Sequence, residues 1–147
     1  MPSSVSQVSK ILSANDLGLT GSHQAGILVP KDERILRFFP RLPDDRLNPS
    51  KIISCSIPAL SRYCEFRFIY YNNKIVGGGT RNEYRLTRMT ASLRDLGAHV
   101  EDILIFSKDS AGRISLELDR RRDTATVESL ATEYRLQSGW KIVMKEN

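Results

Sequence analysis

The amino-acid sequence predicts one α+β domain, built mostly of antiparallel strands with two or more short helices. Six segments rich in β-branched and aromatic residues predict strands, and two segments with apolar residues at helical intervals predict helices. A chain of 147 residues with 40% hydrophobic and 27% charged residues is typical of a globular protein. Two separate domains of half this length would each have a marginal core, so we expect residues 1–147 to form a single domain.

The strand segments combine β propensity with alternating polarity. In chain order they are residues 27–30, 51–57, 65–71, 102–108, 113–119 and 140–145. Residues 109–112, Asp-Ser-Ala-Gly, separate the fourth and fifth segments and predict a β-hairpin. Residues 72–74, Asn-Asn-Lys, predict a turn after the third segment.

The two helical segments are short. In residues 31–39, Ile35, Leu36 and Phe39 can share one face, and Pro40 ends the helix. In residues 124–135 the helix begins after an N-cap at Asp123 or Thr124. Its apolar positions recur at helical spacing at Val127, Leu130, Ala131 and Tyr134.

Two glycine-rich segments interrupt this pattern. Residues 13–26 and 77–88 together hold six of the nine glycines, and residues 13–26 show neither helical nor strand periodicity. Glycine permits backbone conformations and close approaches that other residues do not. In these two segments the backbone can therefore adopt unusual conformations or lie close to another group. They are the candidate functional segments.

The second of these segments contains an alternating row of charges. If it is extended, Arg81, Glu83, Arg85 and Thr87 project to one side. Such a row suits the major groove of DNA, because arginine bonds both acceptors of guanine and a carboxylate accepts from the cytosine amino group. If it is helical, Arg81, Arg85 and Arg88 form a basic stripe facing phosphates. A third interpretation is a solvated, salt-bridged face.

The first segment is rich in hydrogen-bonding side chains. Its polar residues are Asn15, Asp16, Thr20, Ser22, His23 and Gln24. These groups can bond base edges or phosphates, and they can equally bond the backbone of their own loop. Lys10 and Arg88, at the margins of the two segments, are candidate phosphate contacts.

Composition narrows the possible partners. Lys and Arg outnumber Asp and Glu by 22 to 17, a net charge of +5 that suits a partner carrying phosphates. Cys55 and Cys64 are too few for a disulfide scaffold or a four-ligand zinc site, and both histidines lie far from them in sequence, so we expect free thiols, no metal and no cofactor. With no apolar run of about 20 residues and a polar start, we expect a cytoplasmic protein without a membrane partner.

A metal-dependent nuclease is the alternative from another functional class. Pro43-Asp44 followed by Glu65-Phe66-Arg67 imitates the PD-(D/E)xK spacing of nuclease metal sites. Arginine in place of lysine cannot act as a deprotonated base, and PD pairs are common. The sequence therefore favours a binding module without a catalytic residue of its own.

Three separated strings resemble one known family. LSANDLGLTGSHQAGILVP at 12–30, FFPRL with LNPS at 38–50, and YYNNKIVGGGTRNEYRLTR at 70–88 are similar to the N-terminal effector-binding domain of EcoRII-type (Type IIE) restriction endonucleases. The resemblance covers about the first 90 residues in matching order. It implies a DNA-binding pseudobarrel, an open and mostly antiparallel β-barrel related to the plant B-three domains, in which two arms enter the major groove from opposite sides.

The resemblance also implies roles for particular residues. His23 matches the histidine of the family's N-arm, and Arg81, Glu83 and Arg85 match the Arg-x-Glu-x-Arg of its C-arm. Gly79, Tyr84 and Leu28 depart from the family pattern, which has lysine, lysine and tyrosine there, so some phosphate contacts are expected to be absent or supplied elsewhere.

Together these features give a specific expectation. We expect the chain to be a non-catalytic effector or targeting module of a longer bacterial Type II restriction endonuclease whose nuclease lies on a C-terminal domain outside this chain. The resemblance implies that it binds CC(A/T)GG, and we expect it to do so as a monomer. The expected base-reading residues are Asn15, Asp16, Ser22, His23, Gln24, Arg81, Asn82, Glu83 and Arg85. The expected phosphate contacts are Lys10, Thr20, Tyr84 and Arg88. A B-three-like module with another DNA target remains the nearest alternative.

Overall fold

The computed structural model describes residues 4–20, 26–120, 132–135 and 139–145. The strands are β1 Ser4–Ile11, β2 Ile27–Val29, β3 Ser50–Ile57, β4 Arg62–Tyr71, β5 Glu83–Thr87, β6 Ile103–Lys108, β7 Ile114–Asp119, β8 Thr132–Arg135 and β9 Trp140–Lys145. The helices are α1 Glu33–Leu36, α2 Asn73–Val76 and α3 Thr90–Asp95, with a 3-10 turn at Pro58–Leu60. This is the expected mixture of many strands and a few short helices.

One curled sheet carries all of the described strands. Its order is β2-β5-β4-β3-β7-β6-β1-β9-β8. Among the described strands the pairing is antiparallel except between β3 and β7, which pair in parallel at Cys55–Ile114 and Ser56–Ser115. The indole Nε1 of Trp140 on β9 donates to the Leu28 carbonyl on β2 at 2.9 Å. Because β2 and β9 lie near opposite ends of the strand order, this bond shows that the sheet closes on itself as an open barrel.

Aromatic side chains fill the interior of the barrel. Phe39, which follows α1, stacks on Phe68 of β4 at 4.9 Å and meets Phe106 of β6 edge-on at 6.0 Å. Phe106 in turn lies 6.3 Å from Trp140. Each such side chain contributes about 1.5–3 kcal/mol through burial of apolar surface, so the segment around α1 plugs the barrel and fixes the sheet around it.

Most of the predicted elements are confirmed. The six strand segments correspond to β2, β3, β4, β6, β7 and β9. The β6–β7 hairpin forms around the predicted turn, where Gly112 donates to the Asp109 carbonyl at 2.9 Å. The helix expected over residues 31–39 is shorter, at Glu33–Leu36, and the turn expected at 72–74 is the start of α2.

The helix predicted over residues 124–135 is wrong for residues 132–135. They form strand β8, in which Tyr134 pairs with Ile142 of β9, whereas residues 121–131 lie outside the described residues. Thr132 and Tyr134 have high strand propensity, and the neighbouring strand β9 pairs with residues 132–135. Tertiary pairing therefore overrides the local pattern at this end of the segment.

Strand β1 was not predicted, because its side-chain alternation is broken. A register shift between Val5 and Gln7 in its pairing with β9 indicates a bulge. A bulge moves later residues to the opposite face, so Val8 is buried while the run reads as polar and serine-rich.

Candidate functional site

The charged residues of the second glycine-rich segment lie in an extended stretch of chain, as one of the interpretations of the sequence predicted. Strand β5 lies between β2 and β4, so Glu83, Arg85 and Thr87 project to the outer face of the barrel while Leu86 is buried inside. The helical alternative for this segment is wrong. We call Arg81, Glu83, Arg85 and Thr87 the β5 row.

The first three residues of the β5 row form a ladder of ion pairs. Arg81 Nε donates to Glu83 Oε1 at 2.9 Å, and Arg85 Nε donates to Glu83 Oε2 at 2.9 Å. The arginine side chains differ in exposure, 32% for Arg81 and 4% for Arg85, with Glu83 at 19%. Burial raises the pKa of Glu83, but the two guanidinium groups outweigh it and the pKa is lowered. The carboxylate is therefore held in its charged form between two cations.

Arg81 is also held by its neighbours before the strand begins. Its guanidinium carbon lies 3.6 Å from the centre of the Tyr71 ring. Its backbone N–H donates to Asn73 Oδ1 at 2.7 Å, and its carbonyl accepts from Lys74 N at 2.9 Å. A Cβ on Gly79 would come within 2.4 Å of the Asn73 side chain, so a larger residue there would make that amide shift from its present position.

The residues between the charges have different surroundings. Tyr84 stacks on Tyr70 at 4.2 Å with a 6° interplanar angle and on Phe68 at 5.6 Å. The Tyr70 hydroxyl donates to Asn82 Oδ1 at 2.6 Å. Burial raises the pKa of Tyr84. Asn82 and Tyr84 thus belong to an aromatic cluster, and the structure does not place the Tyr84 ring beside the β5 row.

The first glycine-rich segment is anchored by a buried ion pair. Lys10 Nζ lies 2.8 Å from Asp16 Oδ2, and the two side chains are 8% and 5% exposed. Asp16 Oδ2 also accepts from Ser13 N at 2.9 Å, and Lys10 donates to the Ile11 carbonyl at 2.9 Å. Both residues were expected to contact DNA, but the structure uses their charges inside the protein to shape the start of the loop.

Other predicted residues of this segment are at the surface or outside the described residues. Thr20 Oγ1 donates to Asn15 Oδ1 at 3.0 Å in an exposed position. Ser22, His23 and Gln24 lie outside the described residues. Arg88, directly after β5, is exposed and has a φ of +69°.

The two glycine-rich segments meet at Gly26. This residue has a φ of +91°, and a Cβ there would come within 2.2 Å of the Leu86 carbonyl oxygen on β5. The Gly26 carbonyl accepts from Arg85 Nη1 at 3.4 Å. Glycine therefore lets the chain returning from the first segment lie directly against the β5 row, which joins two segments separated by some 50 residues of sequence.

The barrel also brings residues beside the β5 row whose position there the sequence pattern did not predict. Leu28 of β2 and Ile69 of β4 pair with Arg85 from either side, and Arg67 of β4 pairs with Thr87. Directly paired residues point to the same face of a sheet, so these side chains border the β5 row. Alternation places these residues on one face of their strands, but the register that pairs them with β5 is not visible in the sequence.

The described residues contain no group of three His, Cys, Asp or Glu side chains placed to hold a metal ion. Cys55 is a buried free thiol paired in register with Cys64, and burial, followed by the neighbouring Cys64, raises the pKa of Cys55 to about 12. None of the helices in the described part of the chain is long and apolar enough to span a membrane.

Comparison with known proteins matches this sequence to a family of restriction endonuclease domains. The family model described as "Restriction endonuclease EcoRII, N-terminal" matches residues 2–112. The Type II restriction enzyme EcoRII of Escherichia coli is 43% identical over 83 residues, which are 54% of this chain and 20% of that enzyme. The chain therefore spans about a fifth of the length of this curated relative.

A solved structure shares the fold. The crystal structure of the UbaLAI restriction endonuclease B3 domain with cognate DNA matches 97% of this chain and 88% of that chain, with a TM-score of 0.57 and 18% sequence identity. The expected pseudobarrel, an open and mostly antiparallel barrel with short helices, is confirmed.

Proposed function

Because this chain belongs to the family of EcoRII N-terminal domains, we propose that it is a non-catalytic module that binds duplex DNA and reads CC(A/T)GG. It acts as the effector or targeting domain of a longer Type II restriction endonuclease, with residues 1–147 as one domain. Its partners are duplex DNA and a C-terminal nuclease domain of the same polypeptide in the bacterial cytoplasm. The observation that carries the proposal is the β5 row, which belongs to the second glycine-rich segment and lies on an outer face beside Gly26 of the first.

The spacing of the β5 row is about twice the rise between stacked base pairs. Alternate residues of a strand are about 6.6–6.8 Å apart. Two successive steps of B-DNA rise by about the same distance, since each step is roughly 3.4 Å. On that spacing Arg81, Glu83 and Arg85 face every second base pair, with arginine bonding guanine O6 and N7 and the carboxylate accepting from cytosine N4.

The ion-pair ladder prepares the arginines for this contact. Glu83 binds the Nε atom of each arginine, which orients both guanidinium planes before DNA arrives. A side chain that is already ordered loses less conformational entropy on binding, so the ladder favours affinity. Arg85 is 4% exposed, so its contact with a base requires the neighbouring Gly26 segment to move away.

The first glycine-rich segment supplies the second arm in this proposal. Asn15, Thr20, Ser22, His23 and Gln24 contact DNA from the other side of the groove, and Arg88 contacts a phosphate. We assign Lys10 and Asp16 to holding the base of this arm, because their buried ion pair already satisfies both charges. Asn82 and Tyr84 support the C-arm through the aromatic cluster that they form with Tyr70.

A B-three-like module with a different DNA target is the second candidate. It is favoured by Gly79, whose lack of a side chain removes a contact that a lysine would make, and by Leu28, which presents an apolar group beside Arg85. Leu28 borders the β5 row and so affects base preference, whereas Gly79 packs against the Asn73 side chain in the loop before that row.

Selection from a library of random duplexes tests both candidates. The chain is expected to enrich CC(A/T)GG and to shift this duplex in a gel with chelator present, without nicking it. Enrichment of another sequence would support the second candidate. Magnesium-dependent cleavage that is abolished by Asp44→Ala would overturn the assignment as a non-catalytic module.

A further inference from the structure

Arg67 lies on the same face as the β5 row. It pairs with Thr87 of β5 on one side and with Ile52 of β3 on the other. Since directly paired residues of a sheet point to the same side, the Arg67 side chain borders the end of the β5 row that is nearest Arg88. No pattern in the sequence predicts that Arg67 lies beside the second glycine-rich segment.

The guanidinium of Arg67 is incompletely satisfied within the described part of the chain. Its Nε is buried and has no hydrogen-bond partner. Glu65, the acidic residue two positions earlier on the same face, forms no ion pair with it among the described residues, and the adjacent Ile52 and Ile69 offer no acceptor on their side chains. A buried donor without a partner costs free energy, and most are paired in native proteins. Arg67 as a whole is only half-buried, so a turn of its side chain towards an anionic acceptor outside the chain would remove this cost.

The position of Arg67 favours a phosphate over a base. Neighbouring strands are about 4.8 Å apart, so Arg67 is displaced sideways from β5 by one strand. The major groove is about 12 Å wide, and a duplex that centres its base edges on β5 brings a sugar-phosphate strand towards the neighbouring strands of the sheet. In that arrangement the sugar-phosphate strand comes close to Arg67.

We propose that Arg67 binds a backbone phosphate of the duplex seated on the β5 row. This inference rests on the proposed function, and it adds a contact from the body of the barrel to those of the two arms. Phosphate contacts fix the register of a protein on DNA without reading sequence. Arg67 therefore sets the depth and orientation at which the β5 row meets the bases.

The test is the salt dependence of DNA binding by the full chain. Arg67→Gln is expected to weaken binding to a CC(A/T)GG duplex and to a random duplex by similar factors of about three to ten. It should lower the slope of log K against log salt by about 1, and Arg67→Lys should restore most of that slope. Arg62→Gln is the matched control, because it removes one positive charge from the far end of the same strand.

The outcomes separate this inference from the proposed function. If Arg67→Gln leaves the salt slope and both affinities at wild-type values, or weakens only specific binding, the phosphate contact is refuted while the wild-type preference for CC(A/T)GG stands. A wild-type chain that binds no duplex would refute both. Unfolding by urea is measured in parallel, and unchanged stability of Arg67→Gln with a reduced salt slope supports the proposal.

Discussion

Replacing Glu83 by glutamine tests the ion-pair ladder at the centre of the proposed site. Glu83 accepts from Arg81 and Arg85 with different carboxylate oxygens, both at 2.9 Å. A glutamine keeps one oxygen and turns an NH₂ group towards the other arginine, so one of the two bonds is lost. The bond to Arg85 is the one we expect to be kept, because Arg81 can turn to water whereas Arg85 is 4% exposed.

The magnitude follows from the type of bond. A hydrogen bond to a charged group contributes about 1.5–3 kcal/mol, so Glu83→Gln should lower the free energy of unfolding by about 2 kcal/mol at pH 7. For a chain of this size the melting temperature should fall by roughly 4–8 °C. Asp95→Asn is the control: it removes one partner of the Arg62–Asp95 pair, whose side chains are both 46% exposed, and should cost less than about 1 kcal/mol.

The pH dependence gives the same ladder a second readout. The pKa of Glu83 is lowered in the folded protein because the charges of Arg81 and Arg85 outweigh the effect of burial. Its stabilising contribution is therefore present above the unfolded pKa of about 4.3 and is lost as the pH falls through the lower folded value. The difference in unfolding free energy between wild type and Glu83→Gln should be constant from about pH 5 to 8 and shrink below about pH 4.

Urea unfolding at pH 7, 5 and 3.5 measures this difference. A variant as stable as the wild type at pH 7, or a difference that persists unchanged at the lowest pH, would refute the reasoning.

Three further predictions concern recognition and the joint between the segments. Arg81→Lys or Arg85→Lys should cost roughly 1–3 kcal/mol on a CC(A/T)GG duplex because lysine lacks the planar fork, and less on random DNA; equal losses on both, measured by competition, would assign these arginines to phosphates. Because two unlike arms cover one short site, mass measurement with a single-site oligonucleotide should give one protein per duplex at every concentration, and a complex seen only with two protomers would contradict this model. Gly26→Ala should destabilise the chain by more than about 2 kcal/mol, since it adds a clash with the Leu86 carbonyl to a left-handed φ. Gly112→Ala, which has a φ of +82° and open space around its Cβ, should cost only about 1 kcal/mol, and similar losses in the two variants would show that the contact at Gly26 is unimportant.

Local patterns predicted the strands well where alternation was unbroken. Phe66 and Phe68 alternate with the exposed Glu65 and the half-buried Arg67 along β4, and this is the strand that carries them into the core. The alternation fails at β1, where the bulge after Val5 shifts the register. It also fails at β8, because Tyr134 fits a helical spacing as well as a strand and its pairing with Ile142 decides between them. Short elements are settled by their neighbours more than by their own sequence.

The sequence alone determined the family resemblance, the two glycine-rich segments and the row formed by Arg81, Glu83 and Arg85. These features depend on residue types and on a period of two, which are properties of a short stretch of chain. The tertiary structure alone decided that Lys10 and Asp16 are buried against each other, that Gly26 packs on β5, and that Arg67 borders Thr87. Each of these facts depends on strand register or on burial between elements, and neither quantity is encoded in the spacing of residues within one segment.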